Sequence, residues 1–507
     1  MNSHEEAVRF VALLKACTTR KDLSKGICVH IDIQRKCLLE KNAYVASTLI
    51  SMYAKCGALV KAHEVLEELP IRNVVTWNAL ISGYSQNSRC DEALHCFECM
   101  QNEGLTPNTI TLISVLKACG SMGAINIGQK IHDDMMGNGL LKKDIMLGTA
   151  LIDMYAKCGK LETARQVLEE LPARNVVSWS AIIAEYAQQG QGQEAINCFE
   201  RMQSEGISPN EVTFIFVLSA CGSIGAINKG KQIHDEILRR GFLEKSLALG
   251  NALIDMYAKC GMVAKAQGVL ECLRIRGVVS WSSLIAGYAQ QQQGYQAIEC
   301  FERMQNENFS PDAITYVCIL KACGSSQAID KGREVHNKIL STGLLDECLV
   351  LGTALMDMYV KCGVVAKAEQ VLQELPVRDV ITWNALIAGY AQHEQFHEAV
   401  SCYECMKNEG ISPNGITFIC ILKACSSVGA VRKGKQIHNN IVSRSLMKKD
   451  IVLGNALVNM YAKCGALAKA QHVLNEIPIR YATSWNALIA AYTQKDQGLE
   501  AINCFRR

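Results

Sequence analysis

The chain reads as all-α, a solenoid of helix-turn-helix hairpins, and three observations predict it. All five tryptophans fall at one spacing, Trp77, Trp179, Trp281, Trp383 and Trp485, each 102 residues after the last. All eight prolines fall into two sets on the same period: Pro70, Pro172, Pro376 and Pro478, with Arg274 in the empty slot, and Pro107, Pro209, Pro311 and Pro413. Within one period the apolar residues recur at helical spacing, and nothing alternates with period two over a strand's length. Such repetition overrides the about three or four globular domains that this chain length would otherwise suggest. No proline is left over for a linker, so no domain boundary is expected.

Residues 74–175 make up one period. The first segment, 74–108, opens Val-Val-Thr-Trp-Asn and places Leu80, Ile81 and Tyr84 on one helix. Asn87 and Ser88 break that pattern, and Ala93, Phe97 and Met100 mark one face of a second helix. Gly104 is a C-terminal stop with Pro107 three residues on. The second segment, 109–144, carries Leu116, Ala118 and Cys119 on its first helix and Ile131, His132 and Met135 on its second, ending at Gly139. The third, 145–175, carries Leu151, Met154, Tyr155 and Cys158, then Ala164, Val167, Leu168 and Leu171. One hairpin has too little mass to bury its apolar faces, so stacking on neighbours must bury them and wind a superhelix.

The segments are 35, 36 and 31 residues long, and the cycle runs without insertion or deletion. Residues 1–6 precede the frame as a short remnant, and 7–507 is expected to be a single solenoid. It begins with a 36-residue segment at 7–42 and a 31-residue one at 43–73. The 35-residue segments are 74–108, 176–210, 278–312 and 380–414, with a partial one at 482–507. The 36-residue segments are 109–144, 211–246, 313–348 and 415–450, and the 31-residue segments are 145–175, 247–277, 349–379 and 451–481.

Fifteen of the 24 cysteines are repeat positions: Cys17, Cys56 and Cys96 each recur every 102 residues as far as Cys425, Cys464 and Cys504. On helical patterns beside Ala, Tyr or Phe they read as small, reduced, buried thiols, which implies a reducing compartment. The net charge of +3 argues weakly against a nucleic-acid partner in bulk, but leaves room for a charged groove. No stretch approaches ~20 uncharged apolar residues, so no membrane span is expected. The opening Met-Asn-Ser-His-Glu-Glu is too acidic for an organelle transit peptide.

The repeat unit resembles the pentatricopeptide repeat over essentially the whole chain. Val-Thr-Trp-Asn-Ala-Leu-Ile-Ser-Gly-Tyr from Val75, Leu-Lys-Ala-Cys-Gly from Leu116 and Leu-Ile-Asp-Met-Tyr-Ala-Lys-Cys-Gly from Leu151 carry the resemblance. The three lengths look like the P-, L- and S-type repeats of the PLS subclass of land-plant organelle RNA-editing factors. The resemblance implies a right-handed superhelix that binds single-stranded RNA in a mitochondrion or chloroplast, about one base per repeat.

In that family the fifth and last residues of a repeat read the base and the second packs on its face. Carried over, the readers are Ser47/Asn73, Asn78/Asn108, Thr149/Asn175, Ser180/Asn210, Asn251/Gly277, Ser282/Asp312, Thr353/Asp379, Asn384/Asn414, Asn455/Tyr481 and Asn486. The family's pairing rule takes Ser or Thr at five to purines, Asn at five to pyrimidines, a final Asn to A or C, and a final Asp to G or U. The implied site is N-A-Y-N-A-A-N-Y-G-N-G-Y-N-Y-Y, with L-type repeats reading weakly or not at all. The short polar fifth residues could instead be helix N-caps. However, Val11, Ile113, Ile215, Val317 and Ile419 hold that position in the other repeats. Stacking residues are Tyr44, Val75, Met146, Val177, Val279, Val350, Ile381 and Val452, with Ala248 in the same slot, unless they merely pack between repeats. Phosphates are assigned to Lys55, Lys157, Lys259, Lys361 and Lys463, with Lys15, Lys117, Lys321 and Lys423 as a second set; a solvated helix face is the alternative. Binding through them would weaken with salt.

No catalysis, cofactor or metal is expected of this chain. A DYW-type cytidine deaminase, the domain that often follows such arrays, needs His-x-Glu and a downstream Pro-Cys-x-x-Cys around zinc. Here His4-Glu5-Glu6 is at the wrong end, and Cys96/Cys99 and Cys402/Cys405 sit mid-helix without a second ligand pair. His30, His132, His234, His336 and His438 form a periodic packing face. A deaminase or editing-complex protein would act in trans, unless the chain is a fragment of such an enzyme. A protein-binding helical scaffold is the other class left open; it would have no reason to restrict position five to Ser, Thr and Asn.

Overall fold

The computed structural model describes residues 3–141, 144–444, 446, 450–477 and 482–506. Tyr481, assigned above to base reading, and Pro478 lie outside the described residues. Among the described residues there is no strand. Two compact units, Met1–Met256 and Tyr257–Arg507, divide the chain inside the helix Leu247–Lys259, not at a linker.

Each unit is a stack of antiparallel helical hairpins. In the first unit, Val74–Gln86 pairs with Cys90–Asn102, Thr109–Met122 with Ile125–Gly137, and Ile145–Lys157 with Leu161–Glu170. The same three hairpin forms recur in the second, as in Val380–Gln392 with Phe396–Asn408. In both units the first helices of successive hairpins pack side by side. They are apolar on nearly every face because neighbours cover them on both sides, whereas the second helices are amphipathic. The fully buried aromatics include Trp179, Phe199, Trp281 and Tyr359.

Local stops fall where the sequence places them. Asn87 caps the helix end and Ser88 has φ +60°, while Gly104 and Gly139 have φ +76° and +64°, the left-handed conformation that glycine enters without a Cβ clash. The helix Ser3–Arg20 starts four residues ahead of the repeat frame, and Lys36 Nζ reaches Glu6 Oε1 at 2.5 Å. Short helices at Leu38–Lys41 and Leu344–Glu347 fall outside what the periodicity predicts.

Two periodic devices hold the hairpins together. Arg72 donates from Nε to the Leu66 carbonyl and from Nη1 to Glu103 Oε1 at 2.8 Å, and Glu103 Oε2 accepts the Trp77 indole N–H at 2.8 Å. The guanidinium thus satisfies a helix-end carbonyl while it ties one segment to the next. Arg378, Glu409 and Trp383 repeat the arrangement. Close helix contact is set by Gly128 and Gly332, where a Cβ would stand 2.6 Å from the thioethers of Met154 and Met358. The periodic histidines pack as expected: His132 Nδ1 lies 3.0 Å from the Tyr155 hydroxyl, and burial lowers its pKa.

Among the described residues no cysteine is in a disulfide. Burial pushes the thiols of Cys96, Cys119, Cys323, Cys402 and Cys425 up to about 12, so they behave as small apolar groups. Among the described residues no three His, Cys, Asp or Glu side chains cluster as metal ligands.

Candidate nucleic-acid interface

From the second hairpin to the one opened by Ile451–Lys463, the first helix starts directly after the last residue of the preceding segment, which stands in the N-cap place. Asn73 Oδ1 accepts from the N–H groups of Val75 and Thr76 at 3.0 and 3.1 Å, and Asn175 Oδ1 from those of Val177 and Ser178 at 3.0 and 2.9 Å. Asp379 Oδ1 does the same for Ile381 and Thr382 at 3.0 and 2.9 Å. Asn108, Asn210, Asp312 and Asn414 cap through Oδ1 to the N–H of Thr111, Thr213, Thr315 and Thr417 at 2.8–3.1 Å. The capping role weighed above for the fifth residues therefore belongs to the last residues, because the helix starts one residue after each segment boundary. Gly277 is also an N-cap, without a side chain to contribute.

The cap consumes one atom of each side chain. In these seven caps Oδ1 takes the backbone N–H groups, and the other terminal atom, Nδ2 in Asn or Oδ2 in Asp, is surplus to the helix. It differs in sense: the amide nitrogen donates, the carboxylate oxygen accepts.

The fifth residues lie one turn inside the helix. Asn78, Ser180, Ser282, Asn384 and Ser47 are buried; Thr149, Asn251, Thr353 and Asn455 are half-buried; Asn486 is exposed. Asn78 Nδ2 donates to Asn108 Oδ1 at 2.9 Å, and Asn384 Nδ2 to Asn414 Oδ1 at 3.1 Å, so these fifth and last residues stand side by side. Ser47, Thr149 and Thr353 turn their hydroxyls back onto the carbonyls of Tyr44, Ile145 and Leu349.

The second residues are exposed. Val75, Val177, Val279, Ile381 and Val452 keep 52–59% of their surface, Tyr44 keeps 56%, and Met146 and Val350 keep 66% and 65%. Packing between repeats therefore does not account for them, since a side chain used in packing would lose that surface. The smaller Ala248 is exposed too. The row continues through the 36-residue segments at Val8, Ile110, Val212, Ile314 and Ile416, which hold the same second place but are singled out by no sequence signal of their own.

Clefts open between these rows. One of about 580 Å³ holds Val75 and Ile110 with Asn78 between them and is bordered by Lys15 and Lys55. Another of about 340 Å³ holds Met146 and Val177 with Thr149 and Asn175, bordered by Lys117 and Asp153.

The lysines divide. Lys157 and Lys361 each pair with an aspartate one turn back, Asp153 and Asp357, at 2.7 Å. All five recurrent lysines are exposed at this helix position; Ser51 and Asn459 replace the aspartate before Lys55 and Lys463, while Asp255 stands one turn before Lys259. Lys15 Nζ lies 3.2 Å from the Tyr44 hydroxyl.

The chain matches the PPR repeat family at residues 72–121, 174–223, 276–325 and 378–427, and the PPR repeat at 44–74, 149–176, 251–278, 353–380 and 483–507. It is a pentatricopeptide repeat protein. A chloroplastic pentatricopeptide repeat-containing protein of Arabidopsis thaliana is 33% identical over 95% of this chain and 59% of its own length. A second from the same plant is 33% identical over 99% of this chain and 72% of its own length. A mitochondrial one is 33% identical over 92% of this chain, which spans 45% of that relative. The pentatricopeptide repeat family thus extends well beyond this chain's length in some members. Among solved structures, the pentatricopeptide repeat protein PPR10 in complex with an 18-nt psaJ RNA element superposes with a TM-score of 0.63 at 17% identity, over 98% of this chain and 78% of that one. PPR10 from maize gives 0.53 at 18% identity, over 98% and 87%.

Proposed function

We propose that this pentatricopeptide repeat protein binds single-stranded RNA in a sequence-specific manner, about one base per polar repeat. The observation that carries the reading is the surplus atom of each N-cap. Asn and Asp cap a helix equally well. The choice between them changes only what is presented beside position five: donors from Asn, acceptors from Asp. A donor suits the bare ring nitrogen of A or C, and an acceptor suits the ring N–H of G or U. The exposed aliphatic pairs supply walls for the base, and the PPR10 fold was solved around an 18-nt RNA.

The repeat lengths favour the PLS subclass, and relatives named chloroplastic and mitochondrial favour an organelle. Within it the chain would mark a site for C-to-U editing or other RNA processing. Chemistry would come from elsewhere, from a deaminase or editing-complex protein acting in trans. Lys15, Lys55, Lys117 and Lys463 would meet phosphates; Lys157 and Lys361 would first have to exchange their aspartates.

Selection from a random RNA pool with the purified 507-residue chain tests this. Enrichment of the A-, G- and pyrimidine-specified positions in the predicted order is expected. Recovery of sequences with no preference at those positions overturns the reading.

A further inference from the structure

The four complete 35-residue segments share a contact at their fifth residue. Thr111 Oγ1 lies 2.5 Å from Asn78 Oδ1, and Thr417 Oγ1 lies 2.6 Å from Asn384 Oδ1. Thr213 and Thr315 Oγ1 lie 2.6 Å from the hydroxyls of Ser180 and Ser282. Each threonine is the third residue of the following segment, fully buried, and each also touches the capping Oδ1 of the last residue at 2.6–3.1 Å. One hydroxyl therefore joins the two base-reading positions.

We propose that these threonines are positioning residues that set the hydrogen-bonding sense of position five, an inference that rests on the base-reading function above. A threonine hydroxyl has one proton to donate and lone pairs to accept with. Beside Asn78 or Asn384 its nearest neighbour is an amide oxygen, which can only accept, so the threonine donates. That occupies Oδ1, turns Nδ2 towards the last residue and leaves an N–H for the base. The same donation recurs in the 31-residue segment 451–481, where the Ser484 hydroxyl bonds Asn455 Oδ1. Beside Ser180 the threonine proton goes to the cap oxygen Asn210 Oδ1 at 2.9 Å. Beside Ser282 it goes to Asp312 Oδ1 at 2.6 Å. The serine proton is then spent within the protein, on the threonine or, for Ser282, on the Val278 carbonyl at 2.8 Å, and the serine oxygen is left as an acceptor.

The outcome matches base edges. Asn at five with Asn at the end presents donors throughout, which suits the two adjacent acceptors of cytosine. Ser with a final Asn presents an acceptor and a donor, which suits the amino group and ring nitrogen of adenine. Ser with a final Asp presents two acceptors, which suits the amino and ring N–H groups of guanine.

The 31-residue segments with threonine at position five provide an internal control. Thr382 is as buried as Thr417, but its Oγ1 bonds the backbone N–H and carbonyl of Asp379, at 3.0 and 2.9 Å. The preceding fifth residue, Thr353, bonds its own helix at Leu349. Ser178 and Thr149 behave alike, bonding the Asn175 backbone and the Ile145 carbonyl. Thr382 thus supports a cap through the Asp379 backbone without bonding a reader's side chain, while Thr417 bonds the side chains of both readers.

The test compares Thr417→Val, Thr417→Ser and Thr382→Val in the full chain. Binding is measured to four RNAs that differ only at the nucleotide facing Asn384, and to four that differ only at the nucleotide facing Thr353. Thr417→Val should lower the preference for C over the other bases by about tenfold, one hydrogen bond's worth. Thr417→Ser should keep it, and Thr382→Val should lower thermal stability while leaving the preference for G intact. An unchanged C preference in Thr417→Val, or an equal loss of G preference in Thr382→Val, overturns the positioning role alone. A wild-type chain that does not distinguish bases facing Asn384 overturns base reading and the positioning role together.

Discussion

Replacing Asn414 by aspartate separates the two jobs of one side chain. Asn414 Oδ1 caps the helix through the Thr417 N–H at 3.0 Å and accepts the Asn384 amide at 3.1 Å. The new carboxylate would keep an oxygen there, and Asn and Asp cap with nearly equal strength, so the melting temperature should hardly move. The other atom changes from an NH₂ that donates to an oxygen that accepts. A cytosine would then lose a hydrogen bond at its ring nitrogen and face a negative charge there, whereas a uracil would gain a charge-assisted bond to its ring N–H. Such a bond contributes about 1.5–3 kcal/mol, so the ratio of U to C affinity should rise roughly ten- to a hundredfold. Equilibrium binding of Asn414→Asp and the wild type to two RNAs differing only in C or U facing Asn384 measures it, with a thermal melt of each protein alongside. If C stays preferred by the same ratio while the melt is unchanged, the cap's surplus atom does not read the base.

Ile381→Ala should leave the melting temperature nearly unaltered, because the side chain is 59% exposed, yet weaken RNA binding several-fold; equal affinities by titration would remove the stacking role. Gly83→Ala should destabilise by about 1–3 kcal/mol in urea unfolding, since the new Cβ would stand 2.5 Å from the Ala54 Cβ, which has no rotamer to yield, whereas Gly137→Ala meets nothing within 4 Å and should be neutral or stabilising. The thiols of Cys119, Cys323 and Cys425, raised to about 12, should resist alkylation at mild alkaline pH while exposed Cys28, Cys37 and Cys272 react, as mass spectrometry would show. Their folded pKa lies above the ordinary value of 9.0, so stability should be flat below that pH and fall as pH rises towards about 12, traceable by unfolding at increasing pH.

The hairpins and their stops were legible because they are local. A helix needs apolar residues at its own spacing, and a left-handed stop needs a glycine; both repeat on the 102-residue period. The frame of 35, 36 and 31 residues also marked the candidate readers without reference to any neighbour. What the linear chain left undecided was which role each polar residue plays, since Ser, Thr, Asn and Asp are the favoured residues at both a cap and a reading edge. Helix starts resolved it, assigning the cap to Asn73 and Asp379 and leaving Ser47 and Thr353 inside their helices.

Exposure was equally undecidable from spacing: a valine at the second place of a repeat looks like core until the next hairpin is seen to leave it bare. Lys157 and Lys55 share one repeat position, but an aspartate one turn back neutralises the first, while the second has Ser51 there. The Thr417–Asn384 contact joins residues 33 apart, a distance at which sequence pattern carries no signal and only the stacking of one hairpin on the next brings hydroxyl and amide groups within 2.6 Å. Sequence alone determined the repeat, its length and the candidate readers, because those follow from backbone propensity and periodicity. Tertiary packing decided which atom of Asn78 and Asn384 is left over, because their amide groups are engaged only when Thr111, Asn108, Thr417 and Asn414 arrive from the repeat boundary.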